Sequence, residues 1–194
     1  RSWTSRGLLN GYRDGSVRPD APVTRAEFCA MVNRAFSLTG AADIHFRDVP
    51  PAHWAYTDIA VAFGKGYAKG DADGNFRPDD PITREEAAVM LARLLELDTT
   101  DASGAKGFSD DAMISEWARG AVAALLRAGL MNGYRDNTIG PDRHITRAES
   151  VTLLDRAWAY RNGTETPPEP VQPGTQEGSA RPSYAAPSHG PYPR

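Results

Sequence analysis

Three short stretches decide how this chain folds: "VTRAEF" (Val23–Phe28), "ITREEA" (Ile82–Ala87) and "ITRAES" (Ile145–Ser150). Each writes Thr-Arg-x-Glu ahead of apolar residues at helical spacing. A Thr at the N-cap with a Glu three residues on forms a capping box, in which each side chain takes the other residue's backbone amide. Thr24 with Glu27, Thr83 with Glu86 and Thr146 with Glu149 therefore read as three helix starts, each cap worth about 1 kcal/mol. The Arg is not explained by capping. It stands at the first helical position, where the dipole disfavours a cation. Arg25, Arg84 and Arg147 break the same local rule at the same place, which points to function. Open amides in a first turn attract anions, and a guanidinium beside them can take a carboxylate or phosphate in bidentate fashion. The structural alternative pairs each Arg with a loop acid such as Asp14, Asp20 or their counterparts. A second recurring arginine, at Arg34, Arg93 and Arg156, falls mid-helix and reads as a structural ion pair or a surface residue.

Working outward, the whole neighbourhood repeats. "GLLNGYRDGSVRPDAPVTRAEF" from Gly7 aligns with "GYAKGDADGNFRPDDPITREEA" from Gly66 and "GLMNGYRDNTIGPDRHITRAES" from Gly129, at offsets of 59 and 63 residues. Gly11, Gly70 and Gly133 match, as do Asp14, Asp73 and Asp136, and Pro19, Pro78 and Pro141. Upstream, "FRDVPPAHWAYTDIAVAFGKG" from Phe46 matches "FSDDAMISEWARGAVAALLRAG" from Phe108, with Trp54 and Trp117 each 12 residues ahead of a Gly. The first repeat lacks this block, and the chain reads as a fragment or processed product that begins inside a helix.

Each full unit reads as helix, turn-rich loop, helix. The first helix starts near the Trp and ends near Gly66 or Gly129. The loop carries Asp-Gly or Asp-Asn, residues that tolerate positive φ. The second helix buries Phe28, Met31, Val32, Ala35 and Phe36 in the first unit, Ala87, Met90, Leu91, Leu94 and Leu95 in the second, and Ser150, Leu153, Leu154, Ala157 and Trp158 in the third. One such pair cannot bury its own face, so three bury theirs together. The expected fold is mainly α: three helix-loop-helix repeats in a pseudo-threefold bundle, followed by a Pro-rich tail. The expected divisions are 1–42, 43–104, 105–163 and 164–194, the last with eight prolines and no core of its own.

Bulk composition narrows the partners. With 22 basic and 25 acidic residues the net charge is −3, which gives no reason to expect nucleic acid or anionic lipid. No apolar run is long enough to span a membrane. A single cysteine, Cys29, excludes an intrachain disulfide and reads as a core side chain. "GDADGNFRPDD" departs from EF-hand spacing, because the required frame puts Lys69 in the first ligand position. The four histidines fall at no metal-ligand spacing, and no nucleophile elbow or phosphate loop is present. No cofactor or metal is expected.

The order "F.D....W", then "GY.DG.F.P....TRAE", in units of about 60 residues over 1–162, resembles the S-layer homology domain. That resemblance implies a three-pronged bundle that anchors bacterial surface proteins, non-covalently, to a secondary cell-wall polysaccharide carrying ketal-pyruvate on N-acetylmannosamine. It places the protein at the extracellular cell surface, fused to a cargo, and it implies no catalysis. Binding would occur in grooves between repeats, with Arg25, Arg84 and Arg147 on the anionic sugar. Asp14, Asp73 and Asp136 join them as candidates, and Trp54, Trp117, Tyr12 and Tyr134 could stack on sugar faces, although a Trp that opens a helix reads equally as a core residue. Departures from the pattern make the grooves unequal. Asp71 replaces the Tyr of the other repeats, Gly140 replaces Arg18 and Arg77, and Ile139 replaces Phe76. On this reading the groove using Arg147 is the weakest. The alternatives are a self-assembling surface-layer module that binds no glycan, and a small glycan hydrolase.

Overall fold

A computed structural model describes residues 15–164. Five helices form, and no strand is found among the described residues: α1 (Arg25–Ala35), α2 (Tyr56–Gly64), α3 (Arg84–Leu94), α4 (Glu116–Arg127) and α5 (Arg147–Asn162). Helices α1, α3 and α5 are the second helices of the three repeats, and each begins with a complete capping box on Thr24, Thr83 or Thr146. Helices α2 and α4 are the first helices of the second and third repeats. Each gives way to a glycine in the left-handed region, Gly66 at φ 75° and Gly129 at φ 66°.

The helices pair across repeat boundaries. α1 packs on α2 and α3 packs on α4, so the second helix of one repeat lies against the first helix of the next. The helix-loop-helix unit visible in the sequence is therefore not the packing unit. All the expected apolar faces contribute to one core, from Phe28 and Val32 through Leu91 to Leu154 and Ala157. Cys29 is buried in it, and burial pushes its thiol up to about 12. The Tyr67 hydroxyl donates to Asn33 Oδ1 at 2.8 Å, which provides a partner for that polar atom in the core.

At the centre the three Thr-Arg-x-Glu stretches close on each other. Val23 N donates to Ile145 O (3.1 Å), Ile145 N to Ile82 O (3.0 Å) and Ile82 N to Val23 O (2.9 Å), a ring of three backbone bonds. Isolated bridges Pro22–Thr146, Thr24–Pro81 and Thr83–His144 run along the same three seams. The side chains of Val23, Ile82 and Ile145 are buried. This ring accounts for the β-branched residue that precedes every Thr: it supplies an extended backbone and an apolar side chain in the core.

The upstream block has a matching logic. A Cβ added at Gly70 would lie 2.4 Å from the Phe46 ring, and one at Gly133 would lie 2.3 Å from the Phe108 ring. The recurring Phe and the recurring Gly thus require each other. Two residues after each Phe, an Asp grips the loop. Asp48 accepts from the amides of Phe76 (2.8 Å) and Arg77 (2.7 Å), and Asp110 accepts from those of Ile139 and Gly140 (both 2.7 Å).

Candidate functional site

The loops that follow α2 and α4 are built alike. Asp71 N donates to Asn75 O at 2.8 Å and Tyr134 N to Thr138 O at 2.7 Å, while Gly74 (φ 79°) and Asn137 (φ 62°) turn the chain at the expected left-handed positions. A second left-handed residue follows in all three repeats: Arg18 at φ 47°, Arg77 at φ 57° and Gly140 at φ 63°.

These loops dock on the helix starts, and the docking runs one way around the ring. The amides of Arg25, Arg84 and Arg147 donate to the carbonyls of Asp80, Arg143 and Ala21, at 2.9, 2.9 and 3.0 Å. Those of Ala26, Glu85 and Ala148 donate to the carbonyls of Pro78, Pro141 and Pro19, at 2.9, 3.0 and 3.0 Å. The third amide goes to the capping Thr hydroxyl. The expectation that first-turn amides are open to an anion is therefore corrected. They are taken by the neighbouring repeat, whose loop carbonyls complete the helix in place of a ligand.

The arginine side chains follow the same route. Arg25 Nε donates to Phe76 O (2.9 Å), Nη2 to Lys69 O (3.3 Å) and Nη1 to Glu86 Oε1 (3.0 Å). Arg84 Nε donates to Ile139 O and Nη2 to Asn132 O, both at 2.9 Å, and Nη1 lies 3.8 Å from Glu149. Arg147 Nε donates to Val17 O (3.0 Å), with Nη1 4.0 Å from Glu27. All three are buried. Among the described residues each partner acid is the capping-box Glu of the next repeat, so the pairing with a loop Asp is also corrected for Arg25 and Arg84. Glu wins because it is fixed at a helix start, whereas the loop Asp residues turn back onto their own loops. Asp136 takes the Thr138 amide and hydroxyl at 3.1 and 2.6 Å, and Asp73 is exposed.

One consequence concerns which groove belongs to which arginine. The third repeat's divergent loop faces Arg84, not Arg147, which docks on the first repeat's loop. The substitutions of the third repeat's loop, expected to weaken the groove of Arg147, therefore fall beside Arg84.

The aromatic candidates separate. Trp54 and Trp117 stand 60% and 61% exposed at equivalent places ahead of α2 and in the first turn of α4. Neither is part of the arginine clusters. Tyr134 belongs to one: its hydroxyl donates to Glu149 at 2.8 Å, and the guanidinium carbons of Arg84 and Arg143 lie 4.6 and 4.3 Å from its ring centre. Burial alone would raise the Glu149 carboxyl. The Thr146 amide, the Tyr134 hydroxyl and Arg84 outweigh it and hold the group below its ordinary value. Tyr12 and Asp14 lie outside the described residues. The roles of Asp48, Asp110 and Arg143 were not foreseen. The repeated "F.D" was the signal for the first two, and a basic residue replacing Asp80 was the signal for Arg143. Among the described residues no cluster of His, Cys, Asp or Glu is placed to hold a metal ion, and no helix is long and apolar enough to cross a membrane.

A ring of three capped helices, each sending an arginine into the loop of the next repeat, defines a closed tandem-repeat bundle. The S-layer homology domain model matches residues 2–29, 45–88 and 107–149, and the chain belongs to that family. Members of the family occur in surface-layer and cell-surface proteins. The chain is 37% identical over 154 residues to an amylopullulanase of Thermoanaerobacterium thermosulfurigenes, covering 77% of this chain and 8% of that protein. It is 32% identical over 157 residues to a cellulosome-anchoring protein of Acetivibrio thermocellus, covering 77% and 35%. It is 35% identical over 129 residues to an S-layer protein of Bacillus anthracis, covering 66% and 15%. The chain thus spans only a small part of the length of these relatives.

Proposed function

We propose that this chain is a non-catalytic anchor that holds a bacterial surface protein to the cell wall. It does so by binding an anionic, pyruvylated wall polysaccharide in the grooves between successive repeats. One observation carries the anchoring: a single stretch of sequence is shared with proteins whose names range from amylopullulanase to cellulosome-anchoring protein to S-layer protein. What such proteins have in common is a place to be held. The 154 residues shared with the amylopullulanase are 8% of its length, so the activity that its name gives is assigned to its other regions.

The groove chemistry supports an anionic ligand. Nε and Nη2 of Arg25 and of Arg84 are held by loop carbonyls, Nε of Arg147 is held by Val17 O, and in all three Nη1 is turned towards a glutamate of the next repeat. Glu149 lies 3.8 Å from Arg84, a looser pairing than the 3.0 Å bond between Glu86 and Arg25, so the seam between the second and third repeats keeps the more open cationic field for an anionic sugar. Exposed Trp54 and Trp117 offer flat apolar faces that suit a sugar ring. Asp136 holds the turn of its loop through Thr138, and in the second repeat Asp71 does so through the amides of Asp73 and Asn75, while Asp73 is exposed.

The test is co-sedimentation with purified walls that carry pyruvylated polymer, before and after mild acid removal of the ketals. Binding is expected to the first and to be lost on the second. Equal sedimentation with both would overturn the anionic-glycan reading.

A further inference from the structure

Residues 71, 77 and 80 of the second repeat's loop correspond to 134, 140 and 143 of the third. In the second loop they read Asp, Arg, Asp, and in the third Tyr, Gly, Arg. Around Arg77 three carboxylates gather: Asp71 at 3.9 Å, Asp80 at 3.8 Å and Glu86 at 3.3 Å. That guanidinium is neutralised by its own protein. In the third loop the cation has moved three residues along the chain. Arg143 is exposed, lies 4.3 Å from the centre of the Tyr134 ring, and has no ion-pair partner among the described residues.

The three changes are one device. A Cβ at position 140 would lie 2.6 Å from Arg143 Cδ and 3.1 Å from Tyr134 Cε2, so only glycine lets the arginine rest on the ring. Both ends of the stack are fixed. The Arg143 carbonyl accepts from Arg84 N at 2.9 Å, and the Tyr134 hydroxyl is bonded to Glu149. A guanidinium held through its face keeps its in-plane N–H donors directed outward, the geometry that takes a carboxylate in bidentate fashion.

We propose that Arg143, stacked on Tyr134, is the residue that takes a sugar carboxylate in the groove between the second and third repeats. The corresponding groove between the first and second repeats does not take one, because three acids already surround Arg77. This rests on the anchoring reading above. Arg84, 4.6 Å from the centre of the Tyr134 ring, then acts as a positioning residue.

The experiment titrates a pyruvylated N-acetylmannosaminide, and separately its carboxyl methyl ester, into the wild-type chain and into R143A, R143Q and R77A, following affinity by calorimetry. Thermal melts check that each variant is folded. The free acid is expected to bind wild type and R77A alike, and to bind R143A and R143Q about ten- to a hundredfold more weakly, the range for losing a charge-assisted bond. The ester is expected to bind all four equally weakly. If R143A and R143Q bind the acid as wild type does, the role of Arg143 is overturned while the anchoring reading stands. If they lose the same factor on acid and ester, Arg143 shapes the groove and does not take the carboxylate, which also overturns the proposal. If the wild type distinguishes neither form, the anionic-glycan reading itself fails.

Discussion

The seams on either side of α3 are built on one backbone plan and filled with opposite chemistry. Between the first and second repeats, Arg25 lies 5.0 Å from the Phe76 ring and shares Glu86 with Arg77. Between the second and third, Ile139 replaces that ring. The aromatic contact is rebuilt from Tyr134, which also donates to the corresponding acid, Glu149. One seam is a network of ions and the other a stack of a phenol and two guanidiniums. The comparison separates what closure of the ring demands from what is free to vary. The backbone bonds, the capping Glu and the arginine Nε and Nη2 contacts to loop carbonyls recur at both seams, and the side chains around the guanidinium tip differ.

The largest way to break this comparison is to remove the shared part. R84A leaves the carbonyls of Ile139 and Asn132 without their buried donor, and Glu149 with only Tyr134 as a side-chain partner. Losing one member of such a buried cluster costs about 3–5 kcal/mol. R25A strands Phe76 O and Lys69 O in the same way, but Glu86 keeps Arg77 at 3.3 Å, so its loss is expected to be the smaller. Urea unfolding of the two variants measures this. A cost below about 1 kcal/mol for both would remove the arginines from the account of closure.

How far the sequence alone reached follows from the same contrast. The capping boxes, the Gly after each first helix and the left-handed Asp-Gly turns depend on residues within four positions of one another, and they stand where the pattern puts them. The direction of docking does not. Arg84 and Ile139 are 55 residues apart, and a repeat pattern is equally consistent with an arginine reading its own loop or the next. Only the ring, closed by Val23, Ile82 and Ile145, decides between them. The same ambiguity hid the first-turn amides, since nothing local says that a proline carbonyl from another repeat will fill them. Exposure of Trp54 and Trp117 was hidden for a related reason. A Trp at the start of an amphipathic helix is buried or exposed according to the neighbour, and here the neighbour comes from the preceding repeat.

A smaller intervention sharpens the contrast at position 140. G140A puts a side chain at φ 63° against Arg143 and Tyr134, and is expected to cost about 1–3 kcal/mol while displacing the arginine from the ring. The check is a urea titration paired with the intrinsic fluorescence or ring chemical shifts of Tyr134. If stability and ring environment are both unchanged, the interlock of the three residues does not exist.

Smaller again is the hydroxyl of Tyr134. Y134F removes a bond to an ionised acid, worth about 1.5 kcal/mol, and it changes the pH profile in a definite direction. Glu149 titrates below its ordinary value of 4.5 in the folded chain. Its contribution to stability is therefore full above that value and is lost as the pH falls through the folded one. Taking away the hydroxyl removes one of the groups that hold the carboxyl down, so acid unfolding followed by circular dichroism should begin at a higher pH in Y134F than in the wild type. Coincident acid transitions would show that the bond does not influence Glu149.

The smallest expected effect is the reciprocal change, R77G, and its size is the informative part. Glycine relieves a non-glycine residue at φ 57°, a gain of up to about 1 kcal/mol. It also removes three contacts to acids from a side chain 49% exposed, each worth less than about 1 kcal/mol. These terms oppose each other, so R77G should unfold within about 1 kcal/mol of wild type. A clear loss would mean that the ionic network at the first seam is a structural requirement. A net change near zero would mean that Arg77 is held in a strained backbone conformation by acids that gain little from it. The second and third loops would then hold the same left-handed turn, Arg77 at φ 57° and Gly140 at φ 63°, without needing the same side chain there.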